Sequence, residues 1–476
     1  MTRLRFLPLA ACSLLASCTG IGDPNATAPL PSVPGASAPT TTAGGGAVPA
    51  QSFAVGETTP RAWWTEFGCD DLNKLVDLGL TGSNDIAAAD AALRAAQAQA
   101  GVAAAALGPG VDVSYSAQRT RTPAALSPVV ADPNQLLYSL HTAQVTVSYP
   151  LDLFGGLRAR RQSARAAAKV AASHLLAARQ TLAANLVVAS VTRAALADQI
   201  AATEISISSA KQMLDLTRQR RALGAAGDAD VAAQEAALAA QEATLPALQR
   251  GEVHQRALIS ALLGRAPGEP LPALPGSTCL ALPPQVPVAL PAAVVQGRPD
   301  VQAAAAAVEG AAADARAAVA ARFPSIMLGA SAGGTAQAFS SMFTDGNAFW
   351  SLLGSVSTPV FHSGALRRQQ QAAVALLEES KAQYRTVVLQ AFVDVSDAIS
   401  GLQADARTED AAVRALKAAE QSYTFTQRQQ QLGDVGTFTL LQAQAAVQQA
   451  RLQRSAAWAA RLVDTVALYQ ANGQAE

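Results

Sequence analysis

Three carboxylates sit beside glycine turns in this chain. Asp228 and Asp230 follow LGAAG at 223–227, and Asp434 lies inside LGDVG at 432–436. Carboxylates in such places could gather cations, or they could simply begin helices, where Asp is favoured because its oxygen accepts otherwise unpaired N–H groups. His141, His174, His254 and His362 are scattered with no metal-ligand spacing, so no metal site is expected. The glycine runs at 44–46 and 333–334 lack the strand-turn-helix setting of a phosphate loop. No nucleophile is arranged beside a base, so neither catalysis nor a cofactor is expected. The 35 Lys and Arg balance 35 Asp and Glu, and with no basic block nothing calls for nucleic acid as a partner.

Cys18 stands apart from the other cysteines. MTRLR supplies a positive start, FLPLAACSLLAS a short apolar core, and small residues precede Cys18, the pattern of a cleavable export signal over 1–17. LASC (15–18) resembles the bacterial lipobox, in which the cysteine becomes the first residue and carries lipid. Thr19, rather than Asp, then implies forwarding to the outer membrane. From Pro24 to Pro49 the composition is Pro, Ala, Thr, Gly and Ser, which cannot bury enough to fold, so 18–54 reads as a lipidated cysteine and flexible tether. Nothing further on offers about 18 uninterrupted apolar residues, so any membrane crossing falls to strands.

The elements that must position these residues come in duplicate. YPLDLFGGLR (149–158) returns as TPVFHSGALR (358–367), with Pro150 on Pro359 and Gly155 on Gly364 at an offset of 209. Gly82 to Ala117 aligns with Gly297 to Ala332 at an offset of 215, and the LGAAG and LGDVG turns align again at 209. The lost residues fall between Pro109 and Pro150, where an exposed loop is expected. In 140–149 His141, Ala143, Val145, Val147 and Tyr149 alternate with Leu140, Thr142, Gln144, Thr146 and Ser148, one mostly apolar face against one mostly polar. FWSLLGSVST (349–358) sets Trp350, Leu352 and Val356 against Ser351, Ser355 and Ser357. Such strands fit a bilayer-spanning barrel, and four of them cannot close one, so several copies must share it.

Beyond Pro150 and Pro359, helix formers run for some 67 residues, a rod of roughly 100 Å. Proline ends each strand, Gly155 or Gly364 permits the change of direction, and an arginine-rich turn begins the rod. Alanine dominates the apolar half of the composition, which favours long helices packed closely through small side chains. The expected layout is an equatorial segment at 55–81, a first repeat at 82–264 with its hairpin near 110–150 and tip near 223–230, a linker at 265–296, and a second repeat at 297–472 with its hairpin near 325–359 and tip near 432–439.

WWTEFGCDDLNKLVDLGLTGSNDI (63–86), GRPDV at 297, FP at 323, the paired strand exits and the two LGxxG tips together resemble the TolC-like outer-membrane efflux proteins over about 55–472. The lipobox and the paired tryptophans point to the lipoprotein branch serving resistance-nodulation-division pumps. The resemblance implies a mainly α fold with a membrane β-barrel, a homotrimer whose twelve strands form one barrel continued by a helical tunnel. It implies an exit duct for drugs or other toxic small molecules, without chemistry of its own, partnered by a periplasmic adaptor, an inner-membrane transporter and outer-membrane lipid.

The resemblance places the periplasmic gate at the tips, making Asp228, Asp230 and Asp434 gate candidates. Thr439, Gln442 and Gln430 depart from the acidic and aromatic residues of many relatives, which leaves the usual locking network open. Cys69 and Cys279 fall in the equatorial belt, where two free thiols are expected ahead of a disulfide, although the exported compartment permits one. Type I protein secretion and metal efflux remain as other cargoes for the same duct. A soluble coiled-coil scaffold would explain the helices but neither the hairpins nor the lipobox.

Overall fold

The computed structural model describes residues 41–42, 46–121, 123, 137–289 and 291–473. The export signal, Cys18 and most of the segment read as a tether lie outside them. In chain order the elements are β1 (Ser52–Val55), a 3-10 turn (Trp63–Phe67), α1 (Asp70–Gly82), α2 (Asn84–Ala105), β2 (Gly110–Arg121), β3 (Leu137–Leu151), α3 (Gly156–Ala222) and α4 (Asp228–Leu262). They continue as β4 (Gln285–Val288), α5 (Pro291–Gly297), α6 (Pro299–Ala320), β5 (Ser325–Ala336), a 3-10 turn (Phe339–Ser341), β6 (Ala348–Ser357), α7 (Ala365–Leu432) and α8 (Thr437–Ala471). The order helix, hairpin, very long helix, return helix therefore occurs twice. The two long helices have 67 and 68 residues, and the two return helices 35 each.

The described residues form two compact units. Residues 99–167 and 307–385 make the first. Its sheet has the order β2-β3-β5-β6, antiparallel throughout, so the second hairpin simply continues the first. The helical parts of this unit pack through small side chains. Ala312 and Ala315 on α6 meet Leu377 on α7, and a Cβ added at Gly310 would touch that of Ala166 on α3 at 3.4 Å.

Residues 41–98, 168–306 and 386–473 make the second unit. Its core gathers Trp63, Phe67, Leu72, Leu75 and Val76 against Leu186, Val187 and Val191 of α3 and Leu462, Val466 and Tyr469 of α8. Trp63 stacks on Tyr469 with ring centroids 5.2 Å apart, and Phe67 meets both edge-on. Aromatic rings carry a large apolar area each, and here they sit among the Leu, Val and Ala side chains of the long helices. One 18-residue window of α3 is apolar enough for a membrane helix, with mean hydropathy 1.3, but half of it is buried inside the protein.

Two expectations are corrected here. The tether does not extend to residue 54. Thr42 and Gln51 bond one another through Thr42 N–H to the Gln51 carbonyl (2.9 Å) and Gln51 N–H to the Thr42 hydroxyl (2.9 Å). β1 then pairs in parallel with β4. Composition alone missed this because the segment is held by polar groups: Arg461, 1% exposed, donates to the Pro49 carbonyl (2.7 Å), to Gln51 Oε1 (3.2 Å) and to Glu409 (2.8 Å). Nor are Cys69 and Cys279 free thiols. They are joined in a disulfide, Cα atoms 5.2 Å apart, because the Phe67 carbonyl accepts the Ala281 N–H (2.9 Å) and brings the two segments together.

Candidate functional site

The sheet of the first unit has two chemically distinct faces, and its register shows how they arise. One face carries the rows Val111–Val147–Ala330–Leu352 and Val113–Val145–Ala332–Trp350, followed toward the helices by Tyr149–Leu328–Gly354 and Leu151–Ile326–Val356. Trp350, Val113 and Leu352 are each about 80% exposed, so nothing among the described residues covers this face. The other face carries Asp112–Thr146–Ser331–Ser351 and Ser116–Thr142–Thr335. Its hydroxyls bond across strands, Ser331 to Ser351 at 2.7 Å and Thr142 to Thr335 at 3.1 Å. Leu140, Pro150, Met327, Phe349 and Leu353 are apolar exceptions on it. The odd-numbered set of β3 and the Trp350 set of β6 thus fall on one face, as their alternation requires.

At the exits, Gly155 and Gly364 adopt φ of 76° and 80°, a left-handed turn that side chains resist. Pro150 and Pro359 precede them by the same interval. The first exit has a further device. Asp152 accepts N–H groups from Leu157 (3.1 Å) and Arg158 (2.9 Å) and an ion pair from the Arg158 side chain (3.2 Å), capping α3. The second exit has Phe361 at the matching position and instead closes through the His362 carbonyl, which accepts the Ala365 N–H (2.8 Å).

The tips repeat in detail. Gly224 and Gly433 have φ of 72° and 85°, and each turn closes with the same pair of bonds, N–H of 224 and 225 to carbonyls of 221 and 220, N–H of 433 and 434 to those of 430 and 429. Asp230 occupies the third position of α4 and accepts the Gly227 N–H (3.0 Å). Gly227 has no side chain to reciprocate, so only one arm of a capping box exists. Asp228 pairs with Arg221 across the turn (2.7 Å), and Asp434 is exposed within its turn. Thr439 holds the place of Asp230 in the second repeat. The structure therefore gives each first-tip carboxylate a local partner.

The arginine of GRPDV carries a role that its sequence context does not reveal. Arg298 bridges Asp300 (2.8 Å) and Asp394 (2.9 Å) and donates to the Ala471 carbonyl (3.2 Å), tying the start of α6 to α7 and α8. Burial disfavours its charge, but the two carboxylates outweigh burial and raise its pKa. A cavity of about 590 Å³ beside it is also lined by Gln180, Asp397 and Asp464. Asp405 and Asp464 share a hydrogen bond between α7 and α8. Burial first, then the neighbouring Asp464, pushes Asp405 up to about 6, and burial likewise raises Asp464. Gly401 leaves the room Asp464 occupies, which a Cβ would deny. The pairing of Gly401 with Asp464 across helices was the missed signal.

A sheet unclosed among the described residues, with one apolar and one hydroxyl-lined face, in a chain that twice runs from hairpin to long helix to return helix, is the pattern of a subunit of a membrane-spanning duct. The family described as outer membrane efflux protein matches residues 75–265 and 290–474, and the chain belongs to it. It is 29% identical over 415 residues to the pyoverdine export outer membrane protein OpmQ of Pseudomonas putida, covering 87% of this chain and 88% of that one. It is 28% identical to the toluene efflux pump outer membrane protein TtgC of Pseudomonas putida, covering 86% and 84%. The solved outer-membrane channel OprN superposes with a TM-score of 0.82 at 26% identity, covering 93% of this chain and 99% of that one. The fold is that of the TolC-like outer-membrane channels, and the chain is an outer-membrane efflux component rather than an enzyme.

Proposed function

We propose that three copies of this chain close one twelve-stranded outer-membrane barrel and conduct small toxic or exported organic molecules out of the cell. The observation that carries this reading is the four-stranded sheet, whose β2 and β6 edges have no partner among the described residues and whose faces differ in polarity. Lipid leaves backbone groups without partners, so these edges must meet those of other copies. Apolar rows then face lipid and the hydroxyl rows line a wet lumen. The helices lie on the periplasmic side, where a periplasmic adaptor and an inner-membrane transporter of the resistance-nodulation-division type engage the duct and supply the energy.

Cys18 carries the lipid that anchors the mature chain. Labelled fatty acid should enter the wild type and not Cys18→Ala; incorporation that survives the substitution removes this assignment. The tips form the periplasmic mouth, with Asp230, Asp228 and Asp434 of three copies around one axis. The cargo is of the kind named for the relatives, for which pyoverdine export and toluene efflux are the two reported above. Deleting the gene should raise susceptibility to amphiphilic toxic compounds, and a pull-down should recover an adaptor and a pump. Unchanged sensitivity across a broad panel, together with a secreted protein stalled inside the cell, would overturn the small-molecule reading in favour of protein secretion.

A further inference from the structure

Arg119 and Arg121 stand at the hairpin end of β2, both exposed. Side chains alternate along a strand, so these two share a face with Val111, Val113 and Tyr115, the lipid-facing one. Arg119 lies opposite Ser139 and Arg121 opposite Leu137. The apolar rows run along β3 from Leu151 to Ala143, roughly 20 Å of membrane normal for strands tilted near 40°. Tyr115 closes that band. Its hydroxyl bonds His141 Nδ1 at 2.8 Å, and Phe339 packs against its ring at 5.7 Å, an aromatic girdle of the kind that marks a membrane interface.

Arg119 comes four residues after Tyr115, roughly 10 Å above the girdle along the normal. At that height the inward positions of β2 are Gln118 and Thr120, both uncharged. The one acid on the four strands, Asp112, lies on the other face and toward the other end. The two arginines therefore face outward, just above the hydrocarbon, with no strand carboxylate to answer them. Planar guanidinium groups suit phosphate, which they hold through paired N–H donors.

We infer that Arg119 and Arg121 form, on the outer rim of each protomer, a binding site for the phosphates of the glycolipid headgroup, lipid A, that makes up the outer leaflet. The inference rests on the orientation proposed above, with the helices on the periplasmic side. Each basic residue near an anionic surface contributes about a factor of five, so the pair should strengthen retention about thirtyfold.

Native mass spectrometry of the full-length protein purified from outer membranes, with bisphosphorylated lipid A added as probe, reads this directly. The wild type and the charge-conserving R119K/R121K variant should retain the lipid, and R119Q/R121Q should lose it about thirtyfold. Fully dephosphorylated lipid A should bind all three alike. Equal retention of the phosphorylated form by wild type and R119Q/R121Q overturns the proposal. Asp345, exposed in the loop between β5 and β6, is the acid another copy could offer; a weakened trimer in R119Q/R121Q that D345N reproduces also overturns the proposal, assigning the arginines to an ion pair between copies. Orientation is read separately, by labelling Ser340→Cys in intact cells with a membrane-impermeant maleimide. Failure to label defeats the underlying orientation, whereas labelling with unchanged lipid retention defeats this site alone.

Discussion

Arg461 is almost wholly enclosed and reaches Glu409, Gln51 and the Pro49 carbonyl at once. Removing one member of a buried ion pair strands the other, at a cost of about 3–5 kcal/mol, so Arg461→Met should lower the thermal midpoint clearly. Replacing Glu409 by Leu in the same chain should recover part of that loss, which a calorimetric comparison of single and double variants would show. The Asp405–Asp464 pair acts in the opposite sense. Its raised pKa means the folded protein holds a proton that the unfolded chain releases. Stability from this pair is present below the ordinary carboxylate value and is lost as pH rises toward about 6, the folded value for Asp405. Arg461 moderates this and Glu409 adds to it. Asp405→Asn should therefore remove that downward slope, raising the melting temperature most above pH 6; an unchanged profile would show the proton is not shared. Neither pair was legible in the sequence. Each joins residues from distant segments, and charge alternation on an exposed helix face looks the same as these buried partners.

The two repeats allow a comparison at the scale of elements, because their tips share a backbone and differ in side chains, among them Asp230 against Thr439. Asp230 gives α4 an N-terminal acceptor that Thr439 does not give α8. Asp230→Ala should loosen the first turn of α4 by about 1 kcal/mol, and Thr439→Asp should firm that of α8 by a similar amount. Amide hydrogen exchange at 227–231 and 436–440 distinguishes the two. Single-channel recording adds the functional side: if Asp230 also faces the axis, cation preference falls in Asp230→Ala, whereas a distant carboxylate is screened over about 8 Å and leaves it unchanged. At this scale the sequence was most readable. Proline and glycine punctuate it, and their duplication fixed the exits and tips to within a residue or two. The parallel pairing of β1 with β4 was not readable, since four-residue strands carry too little alternation to stand out from a proline-rich linker.

Across the whole molecule, the Cys69–Cys279 disulfide joins positions 210 residues apart. On the chain-entropy account so wide a loop stabilises by up to about 5 kcal/mol, so replacing both cysteines by Ala should lower the unfolding midpoint, with the loss of the buried Cys69 side chain from the core around Trp63 adding to it. The membrane sheet has a broader consequence. Its two edges, without partners among the described residues, are not alike, one being β2 and the other β6, so in the proposed ring copies join nose to tail and only a complete turn leaves no edge exposed. A protomer with a proline in β6 could still offer its β2 edge to a normal neighbour, and each ring it entered would be spoiled. Produced in equal amounts beside the normal chain, such a variant should leave about one ring in eight intact, the cube of one half. Resistance in the mixed strain should fall toward that fraction and not to half, so the defect would behave in genetics as a poison and not as a missing dose.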